Sequence, residues 1–409
     1  MKSKKSLFLN ALLVLVVMFA FTASAYAGGK VYKLGLSLAI TGPTSDAGNP
    51  YSKGVEDYFK FVNETKILGE DTIDCTIRDD QYKTDITKRN FEEYIDDDIV
   101  LYLNYSTGST MALKRDFEEV QIPVITASFH RGNLKDSNYI FLPIASYSEQ
   151  TVVLAEYVAN NHKGAKPKVA LFHHPSAFGR GPLADVEKAM ELGLNIDLVE
   201  TVAHGKDLDN SAMLKRFLAK GIQYVICQTI QSPVATLLKD AQRLGVTASK
   251  FGEKGKLTFL GAAYTGGSDL IALAGKATDG FLWTCSFYLT NEVNEGTKKQ
   301  LELAKQFGRD DKAAHSHNYG NGIQVAQIAT EAILRAKKAG LEVNRANLYK
   351  MLNGMNGDSA FTSYTSVAPV TYSPTDHAGV DPLQIYRSNG KEFTKFGDLV
   401  QSEYMKKIK

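Results

Sequence analysis

Apolar and polar residues alternate at Leu34, Leu36, Leu38 and Ile40, the period of a strand, and Tyr51, Val55, Tyr58, Phe59 and Val62 follow at helical spacing. The unit then repeats as strand 73–77, helix around 91–95, strand 99–103, helix 111–120 and strand 124–127. A polar stretch, 130–138, breaks the rhythm. A second series runs through helix 151–160, strand 169–172 and helix 183–192, with Pro182 suited to its first turn. Strand 196–202, helix 213–219, strand 224–227, helix 234–244 and strand 257–260 continue it. Strands that alternate with helices imply right-handed crossovers and parallel sheets. The pattern therefore predicts an α/β protein with two doubly wound sheets of similar size, joined near residue 148. Beyond strand 280–285 come helices 297–307, 323–339 and 346–352. Short strand-like pieces at 370–373, 383–387 and 392–396 close the chain around polar turns. No low-complexity segment or short repeat appears.

The first residues follow a different pattern. Basic Met1-Lys2-Ser3-Lys4-Lys5 precedes an apolar run from Leu7 to Phe21, and Ala25-Tyr26-Ala27 stands before Gly28-Gly29. That order is a secretory signal peptide, residues 1–27, cleaved after Ala27. A membrane anchor is the alternative, but the run is interrupted by Asn10 and falls short of the roughly 20 residues a span needs. A periplasmic location is expected, without a lipid anchor, since no cysteine follows the run.

Length and charge narrow the picture further. The chain has 409 residues, more than one ordinary core and enough for two domains. Its 47 basic and 45 acidic residues leave a formal charge of +2, so nucleic acid is not an expected partner. Three cysteines, Cys75, Cys227 and Cys285, lie in apolar runs that read as strands of different sheets, and no disulfide is expected.

Open parallel sheets bind ligands beyond the carboxyl ends of their strands. After strand 99–103 comes Asn104-Tyr105-Ser106-Thr107-Gly108-Ser109-Thr110, rich in hydroxyls and opening a helix, a place where free N–H groups can receive a carboxylate. Simple N-capping by Ser109 or Thr110 is the plainer explanation. After strand 124–127, Ser128-Phe129-His130-Arg131 adds hydroxyl, aromatic and cationic candidates. Facing loops in the second series hold Phe178 with Gly179, Gln231 with Ser232, and Tyr264 with Thr265, a set suited to an amphipathic small molecule. The pairs His173-His174 and His315/His317 lack a third ligand at a diagnostic spacing, and neither HExxH nor CxxC occurs, so no metal or cofactor is expected. With no G-x-S-x-G elbow either, an enzyme is the weaker expectation.

Five sets of residues carry a resemblance. They are Gly35-Leu36-Ser37-Leu38 with Thr41-Gly42-Pro43, Thr107-Gly108-Ser109-Thr110, Ile122-Pro123-Val124-Ile125, Phe178-Gly179, and Leu273-Ala274-Gly275 with Gly280-Phe281. In these the chain resembles the periplasmic leucine/isoleucine/valine-type solute-binding proteins, the type I family that serves ABC importers. The resemblance implies two doubly wound parallel-sheet lobes joined by a three-crossing hinge, the first being 28–148 with 286–377 and the second 149–285 with 378–409. It places the family's carboxylate-binding hydroxyl on Thr107, and its next-loop contacts on Ser128, Phe129 and His130. Second-lobe contacts fall on Phe178 and Gln231. A pocket tryptophan of the family falls on Ala47, and the acid that grips an amino acid's ammonium falls on Ala263, beside Tyr264. The family's small-loop disulfide is missing, since Ser106 stands where a partner for Cys75 would lie.

The function implied is a monomeric receptor that closes on a small carboxylate-bearing ligand and delivers it to a membrane permease with its ATPase. The ligand is a branched-chain or aromatic amino acid or a related organic acid, and the two departures favour an acid without the ammonium. The alternatives are a sensor that serves a chemoreceptor or kinase, a receptor for a non-amino-acid amide, and a hydrolase on the same fold.

Overall fold

The computed structural model describes residues 28–205 and 209–408; the signal-peptide reading, 1–27, lies outside the described residues. Twelve strands among them form two sheets. The first, in the order β2-β1-β3-β4-β5, comprises β1 (Val31–Leu38), β2 (Thr72–Asp79), β3 (Leu101–Asn104), β4 (Val124–Thr126) and β5 (Ile140–Phe141). All its pairings are parallel, with Leu34 of β1 level with Cys75 on one side and Leu101 on the other. β3 and β4 are buried at every position, as strands covered on both faces must be.

The second sheet comprises β6 (Lys168–His173), β7 (Asp197–Ala203), β8 (Tyr224–Gln228), β9 (Thr258–Gly261), β10 (Leu282–Cys285), β11 (Gln384–Ser388) and β12 (Phe393–Lys395). Their order is β12-β11-β10-β9-β8-β6-β7. Strands β6 to β10 are parallel, whereas β11 and β12 add antiparallel at one edge, so this sheet is mixed. The chain leaves the first sheet after β5, returns after β10 and crosses again before β11, which makes three crossings. This is the α/β fold with two sheet-bearing lobes that the strand and helix pattern predicts.

The returning segment is held by close helix packing. Helix His317–Lys338 lies along helix Ser45–Glu64. A Cβ on Gly54 would stand 2.1 Å from the Tyr319 carbonyl oxygen, and one on Gly322 2.1 Å from that of Tyr51, so only glycine lets the backbones approach this far. Beside this contact the buried Asp57 carboxylate takes Nε and Nη2 of Arg309 at 2.7 and 2.5 Å and the Tyr319 hydroxyl at 2.9 Å.

Three expectations need correction. The stretch after 130 ends in a fifth strand, β5, whose two residues are too few to show alternation. Segment 370–373 forms only isolated bridges, to Phe361 and to Asp376. Its alternation arises because Val370 and Tyr372 are buried, with Tyr372 edge-on to Phe141 at 5.1 Å and bonded to the Leu142 carbonyl. Finally, Cys227 and Cys285 lie in the same sheet, with β9 between their strands; all three cysteines are free thiols. Among the described residues no helix is long and apolar enough to cross a membrane.

Candidate functional site

The two sheets face each other across a small cavity, and almost every residue lining it follows the carboxyl end of a strand. The first sheet supplies Thr44 after β1, Tyr82 after β2, Tyr105 and Thr107 after β3, and Ala127 after β4. Opposite stand Phe178 after β6, Ile230 after β8 and Tyr264 after β9. Tyr147 enters from the first turn of helix Tyr147–Asn161, which connects the sheets.

Thr107 opens helix Thr107–Ala112, and the N-cap is Ser106, whose hydroxyl accepts the Ser109 N–H. The capping role expected for Ser109 or Thr110 therefore falls to Ser106. Both neighbours are occupied elsewhere: the Thr110 hydroxyl donates to the Ser106 carbonyl at 2.8 Å, and Ser109 Oγ lies 2.6 Å from Ser106 Oγ. Thr107 Oγ1 instead meets Ser128 Oγ at 2.7 Å. Ser128 Oγ also accepts an N–H of Asn133 at 3.0 Å, and either hydroxyl can donate in the Thr107–Ser128 bond; with Ser128 as donor, the Thr107 hydrogen is available to the cavity. The buried Thr44 hydroxyl, also in the lining, has no partner among the described residues, giving a second donor.

Rings form the rest of the wall. Phe129 lies flat behind Tyr264, with planes 2° apart and centroids 5.3 Å apart. Tyr147 meets Phe178 edge-on at 5.1 Å, and Tyr82 meets Tyr105 edge-on at 6.4 Å. Burial pushes the Tyr82 hydroxyl up to about 12 and those of Tyr105, Tyr147 and Tyr264 higher still, so all four are neutral. His174, just outside, is pushed down to about 4 by burial and by His204, His173 and Arg180 nearby. The lining therefore carries no formal charge near neutrality.

Several hydrogen bonds draw the two sides together. The Tyr264 hydroxyl donates to the Ala127 carbonyl at 2.7 Å and accepts an Asn321 amide N–H at 3.0 Å. Ser232 Oγ donates to Asp46 at 2.5 Å, and Arg131 pairs with Asp185 at 2.9 Å.

Of the residues singled out from the sequence, Thr107, Phe178 and Tyr264 line the cavity, while Ser128 and Phe129 back them directly. Ser109 faces Ser106 and Asn104. His130 accepts the Gly132 N–H and packs against Gly181 outside the cavity. Gln231 lies in a neighbouring cleft with Asp46 and Asp269, its Nε2 3.4 Å from His317 Nε2. Ala47 is fully buried in helix Ser45–Glu64, and Thr44, three residues earlier, reaches the cavity in its place. Ala263 gives its N–H to Gln150 and its carbonyl to Trp283. Tyr319, two residues beyond His317, turns to Asp57.

Sequence reasoning missed Thr44, Tyr82, Tyr105, Ala127, Tyr147 and Ile230. Tyr82 and Tyr105 stand three residues or fewer beyond strand ends, where the carboxyl-end rule points. Tyr147 had a sharper signal. Ser146-Tyr147-Ser148-Glu149 is a capping box, with both reciprocal bonds formed, and it moves the helix start to Tyr147 from the expected 151.

The sequence profile of the periplasmic binding proteins matches residues 31–392. The crystal structure of a branched chain amino acid ABC transporter from Thermus thermophilus with bound valine is 41% identical, covering 93% of this chain and 99% of its own, with a TM-score of 0.88. An ABC transporter substrate-binding protein from Aeropyrum pernix is 20% identical, covering 92% and 97%, with a TM-score of 0.79. The Leu/Ile/Val-binding protein homolog 1 of Brucella suis is 24% identical over 338 residues, 80% of this chain and 85% of that protein. The leucine-, isoleucine-, valine-, threonine-, and alanine-binding protein of Pseudomonas aeruginosa is 23% identical over 275 residues, 64% and 70% of the two chains. The chain belongs to the type I periplasmic binding protein family and is of its leucine/isoleucine/valine type.

Proposed function

We propose that this chain is the periplasmic, monomeric receptor of an ABC importer. It closes on a small carboxylate with a compact, branched apolar body and hands it unchanged to the permease and its ATPase. The supporting observation is the cavity: two hydroxyl donors, Thr107 and Thr44, set among aromatic rings with no ionised lining residue. Hydroxyls that donate to a desolvated carboxylate make charge-assisted bonds, and the rings cover an apolar side chain. The 41% identical protein holds valine, which makes valine the first probe. The lobes that move are 28–148 with 286–377 and 149–285 with 378–409, as the resemblance implies.

A second reading concerns the ammonium group. An ammonium drawn into a closed site costs several kcal/mol unless an acceptor receives it. No acid lines this cavity, and both backbone polar groups of Ala263 are already engaged. A desolvated tyrosine face offsets about 2 kcal/mol of that. The deaminated acid is therefore favoured over the amino acid. Calorimetry of valine against 3-methyl-2-oxobutanoate, and of phenylalanine against phenylacetate, tests both readings. Binding of none of the four overturns the first, and consistently tighter binding of the ammonium-bearing member overturns the second.

A further inference from the structure

The turn that presents Tyr82 places two consecutive non-glycine residues, Gln81 and Tyr82, in the left-handed region at φ 53° and 61°. Side-chain-bearing residues rarely hold such a conformation unless their surroundings over-determine it. Two carboxylates do so here. Asp79 accepts the N–H groups of Gln81 and Ile40, each at 3.0 Å, and the Thr41 hydroxyl at 2.6 Å. Asp80, fully buried, accepts the Tyr82 N–H at 2.8 Å on one oxygen and the Thr87 hydroxyl at 2.9 Å on the other. From this turn the Tyr82 ring lines the cavity and meets Tyr105 on its own side. It also reaches across the cleft, edge-on to His174 at 5.9 Å with its hydroxyl 3.5 Å from Ser176 Oγ.

We infer that Tyr82 is a ligand-contacting residue that couples cavity occupancy to closure, and that Asp80 is its positioning residue, locking the turn from beneath. The inference rests on the binding role proposed above. Tyr82 alone among the lining side chains is held by a turn of this kind, so the shape of this wall depends on a carboxylate that never touches the ligand.

The lock depends on protonation. An ionised Asp80 accepts from both donors; a protonated one leaves the Tyr82 N–H a neutral acceptor and turns the Thr87 hydroxyl to the Lys83 carbonyl, 3.1 Å away. Burial, opposed by these bonds and reinforced by Asp79, raises the Asp80 carboxyl to about 6. The groups that face it keep their protonation states as pH falls through this value. Asp79 is held low by Thr41 and backbone donors despite burial, His174 stays neutral down to about 4, and burial keeps Tyr82 and Tyr102 protonated. Because the folded value is raised, this group's contribution to stability grows as pH falls through about 6, while the turn loosens. A structural role alone would make affinity and stability move together.

The experiment is calorimetry of valine and 3-methyl-2-oxobutanoate from about pH 7.5 to about pH 5, neither probe titrating in that window. It is run on the wild type, Asp80→Asn and Tyr82→Phe, with hydrogen-exchange protection of residues 80–83. The wild-type Kd should rise about tenfold on acidification, the equivalent of one weakened charge-assisted bond, while Asp80→Asn binds weakly at both ends with a flat profile. Tyr82→Phe, which keeps the turn, should retain the slope. A flat wild-type profile, or an Asp80→Asn profile parallel to the wild type, overturns the inference. Should the wild type bind neither probe, the binding reading fails and exchange decides alone, as it does if Asp80→Asn does not fold. Wild-type protection at Tyr82, corrected for intrinsic exchange, must then fall on acidification, and unchanged protection overturns the inference.

Discussion

Tyr264→Phe removes a single oxygen atom and leaves the ring stacked on Phe129. That oxygen donates to Ala127 at 2.7 Å and accepts from Asn321 at 3.0 Å, both across the cleft. Asn321 Oδ1 already has no partner, so the variant leaves the whole buried amide unpaired. Ala127 keeps only the Tyr147 hydroxyl at 3.5 Å. An unsatisfied buried polar group costs about 1 to 3 kcal/mol, and taking about 2 predicts a Kd roughly thirtyfold weaker. In the open form that the proposed closure implies, water would reach both groups and no such loss is expected. Affinity for whichever probe the wild type takes should therefore fall, while the unfolding free energy of the ligand-free protein in guanidinium stays within about 0.5 kcal/mol of wild type. A Kd within about twofold of wild type would refute the idea that this hydroxyl bonds only on closure.

Three further outcomes are expected. Thr107→Ala should weaken binding of the same probe in calorimetry by about 1.5 to 3 kcal/mol, the value of a hydrogen bond to a charged group, with an unchanged circular dichroism spectrum. Asp57→Ala should destabilise the fold by about 1 to 3 kcal/mol in denaturant titration, because it leaves the buried Tyr319 hydroxyl without its acceptor and Arg309 with only Glu56 at 3.8 Å. Burial would raise the Asp71 carboxyl, but Lys337, Tyr32 and the Lys30 N–H outweigh it and hold the group at about 2. The depressed value adds stability above the ordinary carboxylate range that is lost as pH falls towards about 2, so Lys337→Met should shift the acid-unfolding midpoint upward.

The strands were legible because β1, β3, β4 and β8 each bury a run of apolar residues whose length and spacing are set locally. The loops at their carboxyl ends were legible as places, and Thr107, Phe178 and Tyr264 followed from them. Which ring points inward was less so. Tyr82 reaches the cavity through left-handed backbone held by the carboxylates of Asp79 and Asp80, a tertiary device with no pattern of its own. Ala47 and Thr44 differ by one helical turn, and the entry angle of helix Ser45–Glu64 decides between them. The edge strands β11 and β12 were read as strands, but the antiparallel attachment of β11 to β10 depends on a partner about a hundred positions earlier, beyond the reach of local periodicity.

That attachment bears on the order in which the molecule can assemble. β10 borders β9 on one side and waits for β11 on the other, and β11 follows the whole return through helix His317–Lys338. Until residues 384–388 arrive, the edge Leu282-Trp283-Thr284-Cys285 is an unpaired apolar strand, the kind of surface that recruits a strand from another molecule. Helix Ser45–Glu64, near the other end of the chain, likewise waits for its partner helix. Neither this sheet nor this helix pair is complete before the segment beyond β10 has been made. Contacts of such long sequence separation make for slow folding, and they leave the pairing of β11 and β12 as the step that separates the folded chain from an aggregate.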